Sequence, residues 1–268
     1  MSKINLQGKR ALVTGGSQGI GAGICMELAA CGADVCVNYF NSKQKAELLV
    51  AQIQEKYGVK AFCVKANVAN SDHVKDMFFQ IDKEFGGIDI LVNNAGIETT
   101  QHILELDENE WDLIHSVNLK GPFLCAKEAG IRMEKNGGGA IINISTIHDQ
   151  TPRKGLAHYC SAKAGLKMLS KSLALELAES NIRVNTVSPG AIYTEMNREE
   201  IEKFGIEKFN NWIPQGRIGE IREVAPSVAF LASDLASYIT GADIYIDGAY
   251  LLSMVQYDPR PQRKQSKR

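Results

Sequence analysis

The sequence predicts an α/β fold: a doubly wound, parallel sheet of seven strands forming a single domain. Three observations carry this reading. Short apolar runs rich in Val, Ile and Leu recur along the chain. Stretches of helical periodicity, mostly ten residues or longer, separate them. A glycine-rich turn follows the first run. Strands buried on both faces read as continuous apolar segments, and helical crossovers between them enforce parallel pairing of one hand.

The strands are expected at Arg10–Thr14, Asp34–Tyr39, Lys60–Lys65, Asp89–Val92, Ala140–Ile144, Arg183–Val187 and Asp243–Ile246. Helices are expected at Ile20–Cys31, Ser42–Tyr57, Ser71–Phe85, Glu108–Lys135, Leu156–Ala178 and Ile221–Ser233. The segment Ile192–Ile218 breaks the alternation with charge and two short helical patterns, as an insertion covering a ligand beyond the strand ends would. Residues 1–255 read as one domain. Residues 256–268 carry Lys, Arg and Pro without apolar periodicity and read as a disordered, basic tail.

Composition bounds the function. With 268 residues, 44% of them hydrophobic, and a formal net charge of −1, the chain has material for a sizeable core. A near-neutral balance gives no general electrostatic reason to bind nucleic acid. No apolar run approaches the roughly 20 residues of a membrane helix, and the N-terminus lacks a signal-peptide pattern, so a soluble, cytoplasmic protein is expected. Six cysteines (Cys25, Cys31, Cys36, Cys63, Cys125, Cys160) form no metal-ligand spacing and read as reduced thiols. Cys160, beside a catalytic candidate, is the one that stands out as a reactive thiol. No metal site is expected.

The first strand runs into Gly15-Gly16-Ser17-Gln18-Gly19-Ile20-Gly21 and then a helix. Glycines at 15, 19 and 21 let the backbone approach a pyrophosphate, which meets the N–H groups of the helix N-terminus. The Lys-Ser/Thr of a nucleoside-triphosphate loop is missing, so a dinucleotide is expected. The end of the second strand, Tyr39-Phe40-Asn41-Ser42-Lys43, has no Asp or Glu to bind ribose hydroxyls and no Arg. Nothing there repels a 2′-phosphate, so the cofactor reads as NADP or NAD with a lean to NADP.

Tyr159 and Lys163 stand four apart on a predicted helix, on one face. A Lys ammonium near a phenol favours the phenolate and lowers its pKa towards the working range. Such a Tyr can exchange a proton with an alcohol or ketone while hydride moves to or from a nicotinamide.

Together with the glycine turn, Asn93-Asn94-Ala95-Gly96, Asn118, the Ser145-Thr146 hydroxyls and Pro189-Gly190, this pair resembles the classical short-chain dehydrogenases/reductases over roughly residues 5–250. The resemblance implies a Rossmann-fold domain, usually a homotetramer, using NAD or NADP without metal. It implies that Tyr159 is the acid/base and that Lys163 lowers its pKa and holds the nicotinamide ribose. Asn118 would support a proton-relay water. Asn94, Ala95 and Gly96 would flank the adenosine ribose, Asn67 and Val68 the adenine, and Ile192 and Thr194 the nicotinamide and phosphates. The family's substrate-binding serine lies thirteen residues before the tyrosine, which is Thr146 here, with Ser145 adjacent. Register favours Thr146.

Within the family the likeness is to bacterial glucose 1-dehydrogenases, carried by segments such as Asn93–Glu98, Ile147-His148-Asp149 and His158-Tyr159. Glu98, His148 and Asp149 then stand at the pocket mouth, suited to a hydroxyl-rich ligand, or serve as loop and subunit contacts. A sugar is the expected small-molecule substrate. A hydroxysteroid or bile acid, with Trp212, Tyr250, Leu251 and Leu252 as an apolar wall, and a 3-oxoacyl thioester are the alternatives. A dinucleotide-binding regulator without catalysis is the non-enzyme alternative, disfavoured by the retention of Asn118, Tyr159 and Lys163.

Overall fold

A computed structural model describes residues 4–195 and 198–253. Seven parallel strands are crossed by helices in the order β1 (Arg10–Val13), α1 (Gly19–Ala30), β2 (Asp34–Tyr39), α2 (Lys43–Tyr57), β3 (Ala61–Lys65), α3 (Ser71–Phe85) and β4 (Ile90–Asn93). There follow α4 (Glu108–His115), α5 (Gly121–Lys135), β5 (Gly139–Ile144), α6 (Ala157–Leu177) and β6 (Ile182–Pro189). The chain continues through α7 (Arg198–Phe204), α8 (Ile206–Trp212), α9 (Ile221–Ala232), β7 (Asp243–Ile246) and the short α10 (Tyr250–Ser253).

The sheet order is β3-β2-β1-β4-β5-β6-β7, so the winding reverses between β1 and β4. Side chains alternate between the two faces. Ala11, Val13, Val35, Val37, Ile90 and Val92 pack under α1, α2 and α9. Leu12, Cys36, Leu91, Ile141 and Val184 face α3 and α5. Each fully buried Leu, Ile or Val contributes about 1.5–3 kcal/mol relative to exposure, which is why these runs contain almost nothing polar until their C-terminal ends. There the sequence changes character: Thr14, Asn38, Asn93, Asn143, Ser145 and Ser188 are all buried polar residues. In an open α/β sheet that edge, at the point of reversal, is where ligands bind.

One expected element divides. The stretch Glu108–Lys135 is not one helix. A five-residue π-helical turn, Ser116–Lys120, separates α4 from α5 and contains the buried Asn118. Such a bulge frees a backbone group from the regular ladder and is common at functional sites. The insertion does form two short helices, whose Phe209 and Ile201 make a small separate core with Ile213 and Ile218. The expected disordered tail, residues 256–268, lies outside the described residues. Among the described residues, no helix is long and apolar enough to cross a membrane.

Candidate active site

The glycine turn is braced from two neighbouring strands. Thr14 Oγ1 accepts the backbone N–H groups of Asn94 and Ala95, each at 3.0 Å. Asn94 Nδ2 returns bonds to the carbonyls of Thr14 and Gly15. From β2, Asn38 Oδ1 accepts Gly15 N at 3.1 Å while its amide nitrogen donates to Val64 and Ala66. Thr14 and Asn38 were not among the candidates, although a polar residue at a buried strand end was the available signal.

The turn fits a dinucleotide. Gly15 has φ +59°, and a Cβ on it would lie 2.9 Å from Ala95 Cα. A Cβ on Gly21 would lie 2.5 Å from both Asn94 Nδ2 and Gly15 O. Ser17 lies within the turn, Gly19 and Ile20 begin α1, and Gln18 at its N-cap makes no side-chain capping bond. The helix end therefore keeps backbone donors for an anion.

On the adenosine side, Tyr39 is buried, Phe40 and Asn41 are exposed, and Ser42 precedes α2 without capping it. Lys43 is paired with Glu47 along its own helix. Lys45 instead reaches the turn: its ammonium donates to Gln18 Oε1 at 3.0 Å and to Glu195 Oε2 at 2.7 Å. Val68 is buried against Gly121, and Asn67 Oδ1 accepts Ala69 N, so the acceptor expected at the adenine also holds a local turn.

Tyr159 and Lys163 lie buried on α6, one turn apart, beside the end of β5. Lys163 Nζ donates to Ile144 O at 2.9 Å and lies 5.9 Å from the centre of the Tyr159 ring. The Thr146 hydroxyl lies on the Tyr159 side and favours the ionised phenol. Ser145 points the other way and donates to Asp149 Oδ2 at 2.8 Å. Of the two hydroxyls, Thr146 meets the Tyr. Successive residues at a strand end face opposite sides, which leaves Ser145 as the inward one. Asn118 is latched to Ile97, accepting its N–H and donating to its carbonyl.

The surroundings of the phenol act against the expected acidification. Burial, then the Glu98 carboxylate, push Tyr159 up, and the Thr146 hydroxyl opposes them only in part. Lys163 is drawn down to about 8 by burial, against the pull of Asp149 and Glu98. Burial thus holds Tyr159 in its protonated form at neutral pH.

The three candidate substrate residues separate. Glu98 faces Lys163, Tyr159 and Arg153, and burial raises its pKa. His148 is half-buried with Nδ1 against Thr151 O at 3.0 Å, and burial lowers its pKa. Asp149 is not at the pocket mouth: its side chain has 0% exposure and sits among Ser145, Ser188 and Tyr245. Pro189 ends β6, and Gly190, the next residue, passes close to Asp247. Ile192 is buried and bridges to Gly219, with Thr194 two residues on. Cys160 is half-buried and its thiol pKa is raised, chiefly by burial, which counters the expectation of a reactive thiol. The apolar wall does not assemble either. Leu252 is 83% exposed, and Tyr250 packs on the small core of the insertion. Among the described residues, no group of three His, Cys, Asp or Glu side chains could hold a metal ion.

A family model described as enoyl-(acyl carrier protein) reductase matches residues 15–250. A 3-oxoacyl-[acyl-carrier-protein] reductase of Staphylococcus aureus is 44% identical over 240 residues, covering 90% of this chain and 97% of the relative. The crystal structure of a short-chain type dehydrogenase/reductase from Mycobacterium marinum superposes with a TM-score of 0.87 at 38% identity, over 92% of this chain and 97% of that one. A gluconate 5-dehydrogenase from Burkholderia cenocepacia, in complex with NADP and tartrate, gives 0.87 at 31% identity, over 92% and 96%. The glycine turn, the Tyr159–Lys163 pair and these likenesses agree: the chain belongs to the short-chain dehydrogenase/reductase family and is an NAD(P)-dependent oxidoreductase acting on a CH–OH group.

Proposed function

We propose that the chain is an NADPH-dependent reductase of a 3-oxoacyl thioester. The observation that carries the chemistry is the Thr146–Tyr159 contact with the Lys163 ammonium beside it. A ketone oxygen received there meets two hydroxyl donors. Thr146 donates a hydrogen bond to it, and Tyr159 gives it a proton as negative charge develops. Lys163, held by Ile144 O, supplies the positive charge that lets the phenol release that proton. Gly15, Gly19, Gly21 and the α1 N-terminus would hold the pyrophosphate. Asn94, Ala95, Gly96, Lys163, Pro189, Gly190, Ile192 and Thr194 would flank the rest of the dinucleotide, which supplies the hydride when bound. Lys45, with Asn41 and Ser42, favours the 2′-phosphate of NADP.

The substrate assignment rests on the 44% identical reductase and corrects the expectation that a sugar leads. One observation favours a polyhydroxylated acid or sugar as a second reading. Glu98 is a half-buried acceptor beside the catalytic pair, and a hydroxyl would satisfy it where an acyl chain would not. Turnover of acetoacetyl-coenzyme A, glucose, gluconate and a hydroxysteroid, with each cofactor, decides between them. Reduction of the thioester with NADPH at least tenfold faster than turnover of any polyol supports the first reading; the reverse order overturns it.

Assembly is part of the proposal. Phe123, Met168 and Leu175 are exposed apolar residues on α5 and α6, which a second copy would cover in a homotetramer. An active monomer in sedimentation would contradict it.

A further inference from the structure

Asp149 is a carboxylate with no solvent exposure, an arrangement that costs several kcal/mol unless its oxygens are filled. They are filled by three hydroxyls, each from the end of a different strand. Ser145 follows β5 and donates to Oδ2 at 2.8 Å; Ser188 on β6 donates to the same oxygen at 3.0 Å; Tyr245 on β7 donates to Oδ1 at 3.0 Å. Lys167 lies 3.8 Å from Oδ1, donates to Tyr245 Oη at 2.6 Å and pairs with Asp243 at 3.2 Å. Lys167 is one helical turn past Lys163, so the stripe that begins with Tyr159 continues into this cluster.

The positions have a consequence. Ser145 immediately precedes Thr146, and Ser188 immediately precedes Pro189-Gly190. One buried anion therefore fixes the residues next to the substrate-facing hydroxyl and next to the cofactor loop. We infer that Asp149 is a positioning residue of the reaction: its carboxylate turns Ser145 inward, leaves Thr146 to the substrate, and locks the ends of β5, β6 and β7 into one frame. This rests on the acid/base reading of Tyr159 and Thr146. The carboxylate also acts at a distance. Lys163 is faced by Tyr159 from its own helix, by Glu98 from the loop after β4 and by Asp149 from the turn after β5, and Asp149 is the stronger of the two anions sustaining its charge.

The test compares Asp149→Asn, which keeps the shape and removes the charge, with Asp149→Ala. In the wild-type chain and both variants, kcat and KM for acetoacetyl-coenzyme A with NADPH are measured against pH. NADPH affinity is measured by fluorescence over the same range. For Asp149→Asn, kcat falls about tenfold with KM within about threefold. The alkaline limb moves to lower pH by about half a unit or more, because Lys163 loses its proton sooner. The alkaline loss of NADPH affinity moves the same way. If Asp149→Ala does not fold, Asp149→Asn still decides. An unmoved limb in Asp149→Asn, with or without a fall in melting temperature, reduces Asp149 to a packing role and overturns the inference. If the wild-type chain does not reduce the thioester, the substrate reading fails, and the NADPH affinity series judges Asp149 on its own.

Discussion

The Ser145 hydroxyl lies 2.8 Å from Asp149 Oδ2, and that bond sets two adjacent hydroxyls in different surroundings. Thr146, one residue on, faces Tyr159 instead. A strand end alternates its faces, so committing one residue to the interior commits its neighbour to the cleft.

Removing the two hydroxyls separately should therefore give unequal results. Thr146→Ala removes a donor to the substrate oxygen and lowers kcat about 100-fold, while Thr146→Ser restores most of the rate. Ser145→Ala leaves kcat within about tenfold and registers chiefly as a lower melting temperature, since one buried acceptor bond is lost, worth about 1–3 kcal/mol. Steady-state kinetics and thermal melts on the three variants check this.

The pH profile follows from Lys163, drawn down to about 8 by burial. Below that pH the ammonium is charged and supports proton release from Tyr159; above it the charge is lost. Ketone reduction should accordingly decline as pH rises through about 8. A rate that climbs from pH 7 to 10 at saturating NADPH would place the controlling group elsewhere.

Lys45 should discriminate between cofactors. Its pair with Glu195 is exposed on both sides, and such pairs contribute about 0–1 kcal/mol, so a phosphate can displace the carboxylate readily. Lys45→Ala should weaken NADPH binding about tenfold and leave NADH within about twofold, as titration of protein fluorescence would record.

Gly21 should accept no side chain. A Cβ there falls 2.5 Å from Gly15 O, a backbone atom that cannot swing aside. Gly21→Ala is expected to lower stability by about 1–3 kcal/mol and to abolish measurable dinucleotide binding, read by denaturant melts and NADPH titration.

The fold was legible because its signal is local. Runs such as Val35–Val37 and Ile141–Ile142 are buried on both faces and contain little else that could form them. The glycine turn and the Tyr159–Lys163 spacing were legible for the same reason, being short motifs with fixed offsets. What escaped depends on residues distant in the chain. Asn38 reaches Gly15 across 23 positions, Lys45 meets Glu195 across 150, and Tyr245 meets Asp149 across 96. The π-helical turn at Asn118 escaped because its residues keep a helical pattern through the bulge. The upward shift of the phenol was not legible because spacing reveals the nearby ammonium but not the burial and the Glu98 carboxylate that raise it.

The most direct test of the account is NADPH oxidation with acetoacetyl-coenzyme A, comparing the wild-type chain with Tyr159→Phe, which keeps the ring and removes the acid. The account predicts turnover by the wild-type chain and a loss of about 1,000-fold or more in the variant, with NADPH affinity within about threefold. Turnover by Tyr159→Phe within tenfold of the wild-type rate would contradict it.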